Sequence, residues 1–205
     1  MKLRGLYVIT DEKLTPYDKI LKMVEEALKG GAKFVQLRDK TNSDDFLFSY
    51  GVLLKELCEK YNSYFIVNDR IDLAKKLDAH GVHIGKEDAD IVHAKEKLKN
   101  KIIGVSCYGD IERARVMENS GASYVAFGSF YPSPTKPDSN VIDKSIIQEA
   151  KKILSIPVCV IGGLNVERAS KLISLGADMV AVISDIWTAS CIQERAKEYK
   201  NLFSE

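Results

Sequence analysis

The stretch VCVIGGLNVERASKLISLGADMVAVIS (158–184) contains a complete strand–helix–strand unit. Its two ends, 158–162 and 179–184, are short runs rich in Val and Ile, which is typical of strands covered on both faces. Between them, Asn165 is suited to start a helix that ends at Gly176. Two strands joined by a helix in this way run parallel, with a right-handed crossover.

The same alternation of strands and helices runs along the whole chain. Amphipathic segments between the strands predict eight helices. We expect the first helix at 17–29, with Thr15 as its cap and Pro16 at its first position. Gly30 and Gly31 end that helix, and Ser43 opens the second one. The eight expected strands lie at 6–10, 34–37, 64–68, 82–85, 102–106, 124–128, 158–162 and 179–184.

Two architectures fit this pattern: an open doubly wound sheet and a closed barrel. Eight units in 205 residues favour the barrel. An internal echo agrees, because GAKFV (31–35), GASYV (121–125) and GADMV (176–180) each join a helix end to an even-numbered strand, with HGVHI (80–84) as a fainter copy. We therefore predict an α/β fold, a single-domain (β/α)₈ TIM barrel over 1–205.

The composition excludes several classes of partner. The chain carries 30 Lys and Arg against 29 Asp and Glu, a formal charge of +1, so it offers no basic footprint for nucleic acid or an anionic membrane. No apolar stretch approaches the roughly 20 residues that cross a bilayer, and MKLRGLYVITDEK (1–13) lacks the features of a secretion signal. The four cysteines lie far apart, and no pair has metal-ligand spacing; they are Cys58, Cys107, Cys159 and Cys191. An oxidising compartment is therefore not implied, and we expect a soluble, cytoplasmic protein.

Unusual polar residues follow the carboxyl ends of seven predicted strands. In a barrel of this kind those ends meet at one mouth, where the chemistry lies. The residues are Gln36, Arg38 and Lys40; Asn68 and Asp69; Lys86, Glu87 and Asp88; Ser106; Ser133, Thr135 and Lys136 in the long segment YPSPTKP (131–137); Gly162 and Gly163; and Ser184.

These groups indicate a ligand with phosphate groups. The cations Arg38, Lys40 and Lys136 suit a multiply charged phosphate. Asp69 and Asp88, on adjacent strands, could share one Mg²⁺, which prefers one or two carboxylates together with phosphate oxygens. A bridged diphosphate is the natural partner of such a set.

A second anion site is indicated after strands seven and eight. Barrels often bind a monophosphate there through backbone N–H groups. Gly162-Gly163 and Ile183-Ser184 occupy these positions. The sequence thus predicts two anion sites at one mouth.

Simpler interpretations stay open for several of these residues. Lys86 and Glu87 fit equally well as solvated surface residues, and Asp88 could cap the fourth helix. We expect His83, between apolar neighbours, to be a packed core residue. Cys107 has no evident His partner, and no Ser–His or Cys–His arrangement for nucleophilic catalysis is apparent.

Together the motifs resemble those of the thiamine-phosphate synthase family, from LYVITD (6–11) to AVISDI (181–186). The family joins 4-amino-5-(hydroxymethyl)-2-methylpyrimidine diphosphate to a thiazole phosphate and releases diphosphate. The matching segments are QLRDK (36–40), VNDRIDLA (67–74), HIGKEDA (83–89), GVS (104–106), FGSFYPSPTKP (127–137), IGGL (161–164) and VIS (182–184).

The resemblance implies a role for each matched residue. Mg²⁺ would bind Asp69 and Asp88. Arg38, Lys40 and Lys136 would stabilise the departing diphosphate in a dissociative mechanism, with Ser106 orienting the ring or aiding proton loss. The pyrimidine diphosphate would be held by Gln36, Arg38, Lys40, Asn68 and Lys136, and the thiazole phosphate and neighbouring groups would contact Ser106, Ser133, Thr135, Gly163, Ile183 and Ser184.

Four departures from the family pattern bear on rival functions. Lys86 stands where Gln is usual, His80 where Asp is common, and Ser133 where Thr is usual. The related thiazole tautomerase has a similar fold and carries an acid/base His at the place that Tyr108 occupies here. The absence of that His disfavours a tautomerase. Two further candidate functions are a non-catalytic phosphate-binding regulator and a phosphosugar isomerase or epimerase. The sequence leaves open a homo-oligomer, a carboxylated thiazole substrate, and any effect of Lys86 and Tyr108 on substrate preference.

Overall fold

Eight parallel strands close into a barrel, with each strand hydrogen-bonded to the next and β8 paired with β1. The structure is a computed structural model and describes residues 3–85, 90–132 and 140–203. The predicted TIM barrel is confirmed, and every expected strand is present within two residues of its expected bounds. The strands are β1 (Gly5–Ile9), β2 (Phe34–Leu37), β3 (Tyr64–Asn68), β4 (Gly81–Ile84), β5 (Ile102–Tyr108), β6 (Tyr124–Phe127), β7 (Val158–Ile161) and β8 (Met179–Val182).

The described ranges contain nine helices rather than the eight expected. The additional one is the short α8, which follows β8 directly because the Trp187 indole Nε1–H donates to the carbonyl of Ile9 at 2.7 Å and ties this turn to the end of β1. The helices are α1 (Ile20–Lys29), α2 (Asp44–Lys60), α3 (Ile71–Lys76), α4 (Ile91–Lys97), α5 (Ile111–Asn119), α6 (Ser145–Ile153), α7 (Val166–Ser174), α8 (Ser184–Trp187) and α9 (Ile192–Asn201).

The expected helix caps are correct for two helices and wrong for one. Ser43 and Asn165 each accept a hydrogen bond from the backbone N–H three residues later, at 3.4 and 2.9 Å, and so cap α2 and α7. Thr15 does not cap α1. Its hydroxyl donates to the Asp11 carbonyl at 2.8 Å and accepts from the Asp11 N–H at 3.0 Å, which closes a turn and delays the helix until Ile20.

Two apolar clusters pack against the barrel wall, one on its outer side and one on its inner side. The larger lies between the strands and the surrounding helices. The smaller fills the barrel interior with inward-facing side chains, among them Tyr7, Phe34, Tyr124 and Met179, all fully buried. Because these bulky residues fill the interior, the open space lies at one end of the barrel. No helix in the described part of the chain is long and apolar enough to cross a membrane.

Candidate active site

A cavity of about 180 Å³ opens at the carboxyl ends of the strands. All eight strands, or the loops directly after them, contribute side chains to its wall. The structure brings eight of the residues predicted for this mouth together here. They are Gln36, Arg38, Asn68, Ser106, Gly162, Gly163, Ile183 and Ser184.

Asp69 lies next to this wall and is linked to two other predicted residues. The Lys40 Nζ is 3.6 Å from the Asp69 Oδ2, and the Asn68 Nδ2–H donates to the same oxygen at 2.5 Å. The Asp69 backbone adopts φ of 60° and donates its N–H to the carbonyl of His83 at 2.8 Å. The carboxylate is therefore fixed between a cation and an amide at the edge of the cavity.

Six residues singled out in the sequence lie outside the described residues: Lys86, Glu87, Asp88, Ser133, Thr135 and Lys136. One alternative can still be settled, because the cap of α4 is Asp90, whose carboxylate accepts from the Val92 N–H at 3.1 Å. Within 3–85, 90–132 and 140–203, no group of three or more His, Cys, Asp or Glu side chains could hold a metal ion.

Arg38 supplies a positive charge to the cavity. Its half-buried side chain lines the wall and makes no salt bridge with any carboxylate among the residues that the structure describes. Its backbone is fixed, because the Arg38 N–H donates to the Thr10 hydroxyl at 2.9 Å. A guanidinium beside a cavity, with no acidic partner in the described ranges, is suited to bind an anionic ligand through paired hydrogen bonds.

Asp39, between the two cations of the QLRDK motif, shapes the loop after β2. It is 5% exposed, and its carboxylate accepts from the Tyr17 hydroxyl at 2.5 Å, from the backbone of Thr41 and Asn42 at 2.8 and 2.7 Å, and from the Asn42 side chain at 2.8 Å. Burial raises the pKa of Asp39, but these hydrogen bonds outweigh burial and lower the pKa to about 2. Asp39 therefore positions its two basic neighbours and is itself turned away from the cavity.

Replacing Asp39 with Asn is expected to lower the free energy of unfolding at pH 7 by about 2 kcal/mol. This figure is the free-energy equivalent of lowering the Asp39 pKa from its ordinary value of 3.8 to about 2 in the folded state. Because the folded-state pKa is depressed, this contribution is present above pH 3.8 and is lost as the pH falls toward 2. Thermal unfolding at pH 7 and pH 3 should show the gap between wild type and variant narrowing. Asp45→Asn, whose side chain is 93% exposed on α2, is the matched control and should leave stability unchanged at both pH values. A gap for Asp39→Asn that stays constant with pH would contradict the assignment.

His83 is not the packed core residue expected from the sequence. Its ring lines the cavity, with Nε2 2.9 Å from the Ser106 hydroxyl and Nδ1 2.9 Å from the Tyr124 hydroxyl. The sequence pattern did not indicate this Ser–His hydrogen bond, while the expectation that the protein uses no nucleophile stays a prediction. The available signal was register, because His83 pairs with Asn68 across the β3–β4 ladder and so belongs to the same layer as a predicted site residue.

Cys107 is not a nucleophile in this site. Its side chain is fully buried, and its thiol contacts the carbonyl of Val105. Burial raises the pKa of Cys107 to about 12, which keeps the thiol protonated. Tyr108, the next residue, is 47% exposed and lines the cavity instead.

The loops after β6 and β7 pack closely beside the predicted second anion site. Gly162 and Gly163 adopt φ of 108° and 57°, and a Cβ on Gly163 would lie 2.3 Å from the carbonyl oxygen of Pro132. The Arg168 Nη1–H donates to the carbonyl of Gly163 at 2.6 Å, so that the next turn is held as well. Gly162, Gly163, Ile183 and Ser184 all line this part of the cavity.

The cavity wall also contains residues that the sequence did not indicate. Most are small or apolar side chains on the strands, where an inward position cannot be told from ordinary core packing. They are Tyr7, Ile9, Ala126, Gly128, Ser129, Cys159, Ile161, Leu164, Ala181 and Val182.

Comparison with known proteins gives a consistent result. Residues 6–186 match the sequence model of a family described as thiamine monophosphate synthase. The chain is 44% identical to the thiamine-phosphate synthase of Wolinella succinogenes over 197 residues, covering 95% of this chain and 91% of that protein. It is 39% identical to the thiamine-phosphate synthase of Nitrosomonas eutropha over 204 residues, covering 99% and 96%. The solved structure of a thiamine phosphate pyrophosphorylase from Pyrococcus furiosus superposes with a TM-score of 0.90 at 36% identity, covering 98% of this chain and 96% of that one.

Proposed function

We propose that this chain, which belongs to the thiamine monophosphate synthase family, is a transferase that joins 4-amino-5-(hydroxymethyl)-2-methylpyrimidine diphosphate to a thiazole phosphate, giving thiamine phosphate and diphosphate. The observation that carries the proposal is the cavity at the barrel mouth. It brings the Arg38 guanidinium, the Gln36 and Asn68 amides and the Gly163 turn to one space.

The residues present fit a magnesium ion. Asp69 offers hard carboxylate oxygens at the edge of the cavity, beside Lys40, which can meet the same phosphate. Mg²⁺ takes few protein ligands and keeps coordination sites for phosphate oxygens and water, so one or two carboxylates suffice. We assign Asp69 and Asp88 as its ligands. When bound, the ion would supply positive charge to the diphosphate leaving group.

The cations of the chain stabilise the leaving group. As the C–O bond to the diphosphate breaks, negative charge grows on its oxygens, and Arg38, Lys40 and Lys136 are assigned to meet it. Arg38 is available because its guanidinium is not committed to a carboxylate among the described residues. Gln36 and Asn68 are assigned to hold the pyrimidine end of the substrate.

The thiazole phosphate is assigned to the opposite side of the cavity. Gly163, Ile183 and Ser184 line that side and can present backbone N–H groups to a monophosphate. Ser133 and Thr135 would add hydroxyl donors. The thiazole nitrogen then captures the methylene cation that the aminopyrimidine delocalises, so no residue of the protein needs to form a covalent bond to substrate.

The cavity also bears on the tautomerase alternative. That activity calls for an imidazole at position 108, where this chain has a phenol that lines the cavity.

We further propose a reducing, cytoplasmic setting, which is supported by the four cysteines being free thiols.

The purified chain, mixed with both substrates and MgCl₂, is expected to form thiamine phosphate and diphosphate in equal amounts. Removing the metal with EDTA should lower the rate by at least about 10²-fold, because the charge on the departing diphosphate is then met only by side chains. Product formation is followed by chromatography with fluorescence detection after oxidation. The absence of product at saturating substrates would refute the synthase assignment, and conversion of a thiazole phosphate between tautomers without condensation would favour the tautomerase.

A further inference from the structure

Arg70, in the segment VNDRIDLA (67–74), follows β3 and binds the loop that follows β2. Its Nη2–H groups donate to the carbonyls of Asp39 and Asn42 at 3.0 and 2.9 Å, and its Nη1–H donates to the carboxylate of Asp44 at 2.5 Å. The side chain is 25% exposed, and the cavity wall formed by the described residues does not include it. One guanidinium therefore holds a neighbouring loop at three points from outside the cavity.

The backbone of this loop (38–43) is held by two opposite charges. The buried Asp39 carboxylate accepts from the N–H groups of Thr41 and Asn42, and the Arg70 guanidinium donates to the carbonyls of Asp39 and Asn42. Backbone groups that are shielded from water need such partners. A guanidinium can serve two carbonyls and a carboxylate at once, because it presents several donors in a fixed plane. The loop is thereby fixed through both its N–H and its carbonyl groups.

The turn that contains Arg70 also contains Asp69. Asp69 has a φ of 60°, and the Arg70 N–H donates to the carbonyl of Asn68 at 2.7 Å, so the chain turns sharply after β3. The Asp69 carboxylate lies 3.6 Å from the Lys40 Nζ, while Arg70 holds the backbone on both sides of Lys40. Two consecutive residues, one acidic and one basic, thus fix the same basic loop.

We propose that Arg70 is a positioning residue that holds the loop after β2 in place beside Asp69. Arg38 and Lys40 lie on that loop, and on the proposed function, which this step rests on, both bind the diphosphate. A misplacement of about 1 Å in such groups can lower a rate by about 10²-fold. Without Arg70 the ligand would have to order the loop when it binds, and this ordering lowers affinity.

Hydrogen exchange of the full chain tests the hold on the loop without any ligand. In Arg70→Ala the amides of 38–43 should exchange at least about tenfold faster, because the loop opens more often once its carbonyls lose their partner. The amides of α6 and α7, which follow strands on the other side of the barrel, should keep their wild-type rates. Unchanged exchange at 38–43, or an equal increase throughout the chain, overturns the proposal.

Binding of inorganic diphosphate with MgCl₂, measured by titration calorimetry, tests the consequence for the ligand. Arg70→Ala should raise the Kd of diphosphate about tenfold and leave the Kd of the thiazole phosphate within about twofold. Arg70→Lys should recover part of the loss, because an ammonium keeps the charge but lacks the planar fork. If Arg70→Ala does not fold, Arg70→Lys takes its place in both experiments, with a rise in Kd of about threefold.

The outcomes separate this proposal from the proposed function. A wild-type chain that binds diphosphate, together with an Arg70 variant that binds it equally well, overturns the positioning role and leaves the proposed function standing. A variant that loses affinity equally for diphosphate and for the thiazole phosphate also overturns it, because the damage is then general. A wild-type chain that binds no diphosphate overturns both.

Asp44→Asn is the matched control, because it removes the ion pair of Arg70 and leaves both carbonyl contacts. The Asp44 side chain is 48% exposed, and ion pairs at such positions contribute little. We expect wild-type exchange at 38–43 and a wild-type Kd for diphosphate. A loss as large as that of Arg70→Ala would assign the effect to the surface ion pair and overturn the proposal.

Discussion

Replacing Asp69 with Asn is expected to lower kcat/KM by at least about 10²-fold while the melting temperature stays close to that of the wild type. The variant removes one negative charge from the edge of the cavity, next to the Lys40 ammonium at 3.6 Å, and with it a proposed Mg²⁺ ligand. An electrostatic contribution of this kind to the reacting centre commonly changes the rate by roughly 10²- to 10³-fold.

Asn is a sharper test than Ala at this position. Asp69 has a φ of 60°, in the left-handed region that Asn adopts readily and Ala does not, so Ala would add backbone strain to the loss of charge. The Asn side chain also keeps an oxygen that can accept from the Asn68 amide, which donates to Asp69 now. The loss in the Asn variant therefore reports on the charge.

The matched control is Asp72→Asn, on α3 only three residues away. The Asp72 side chain is 73% exposed and pairs with Lys97 on the surface at 2.8 Å. This variant should keep wild-type kcat/KM and the wild-type dependence on Mg²⁺ concentration. An Asp69→Asn enzyme with full activity and an unchanged Mg²⁺ requirement would show that the metal lies elsewhere.

The sequence predicts the barrel well because its signals are local. Each strand is a short β-branched run followed by a helix of 3.6 period, and such runs need no knowledge of distant residues. Where the prediction fails, the deciding contact is one that the local pattern does not specify. Thr15 bonds back to Asp11, four residues earlier, and not to the helix. The turn of α8 is tied to β1 because Trp187 reaches Ile9, which lies 178 positions earlier in the chain.

The sequence predicts those site residues whose type is unusual at the end of a buried strand. Arg38, Asn68 and Gly163 stand out at strand ends, and the closed barrel brings them to one cavity. His83 and Tyr124 do not stand out, because a polar or aromatic side chain at an inward strand position can belong to the filled interior or to the cavity. Only the register between strands distinguishes the two. The contact between Tyr7 and Tyr124 joins residues 117 positions apart, and no local pattern reveals it.

Arg38→Gln is expected to lower kcat/KM for the pyrimidine diphosphate by about 10²- to 10³-fold and to leave the KM for the thiazole phosphate within about twofold. Arg38→Lys should recover only part of the loss, because an ammonium keeps the charge but lacks the planar pair of donors that matches phosphate oxygens.

The reason for so large an effect is that the guanidinium lines the cavity without a carboxylate partner among the described residues, so its charge is available to the ligand. Charge grows on the diphosphate as it departs, and the expected loss therefore includes kcat as well as KM. Arg115→Gln is the matched control, because Arg115 is exposed on α5 and pairs with Glu112 at 2.9 Å. Steady-state kinetics with each substrate varied in turn would measure both constants. A KM raised equally for both substrates would place Arg38 in general folding of the mouth, whereas a lower kcat with a raised KM for the diphosphate substrate alone assigns its guanidinium to the leaving group.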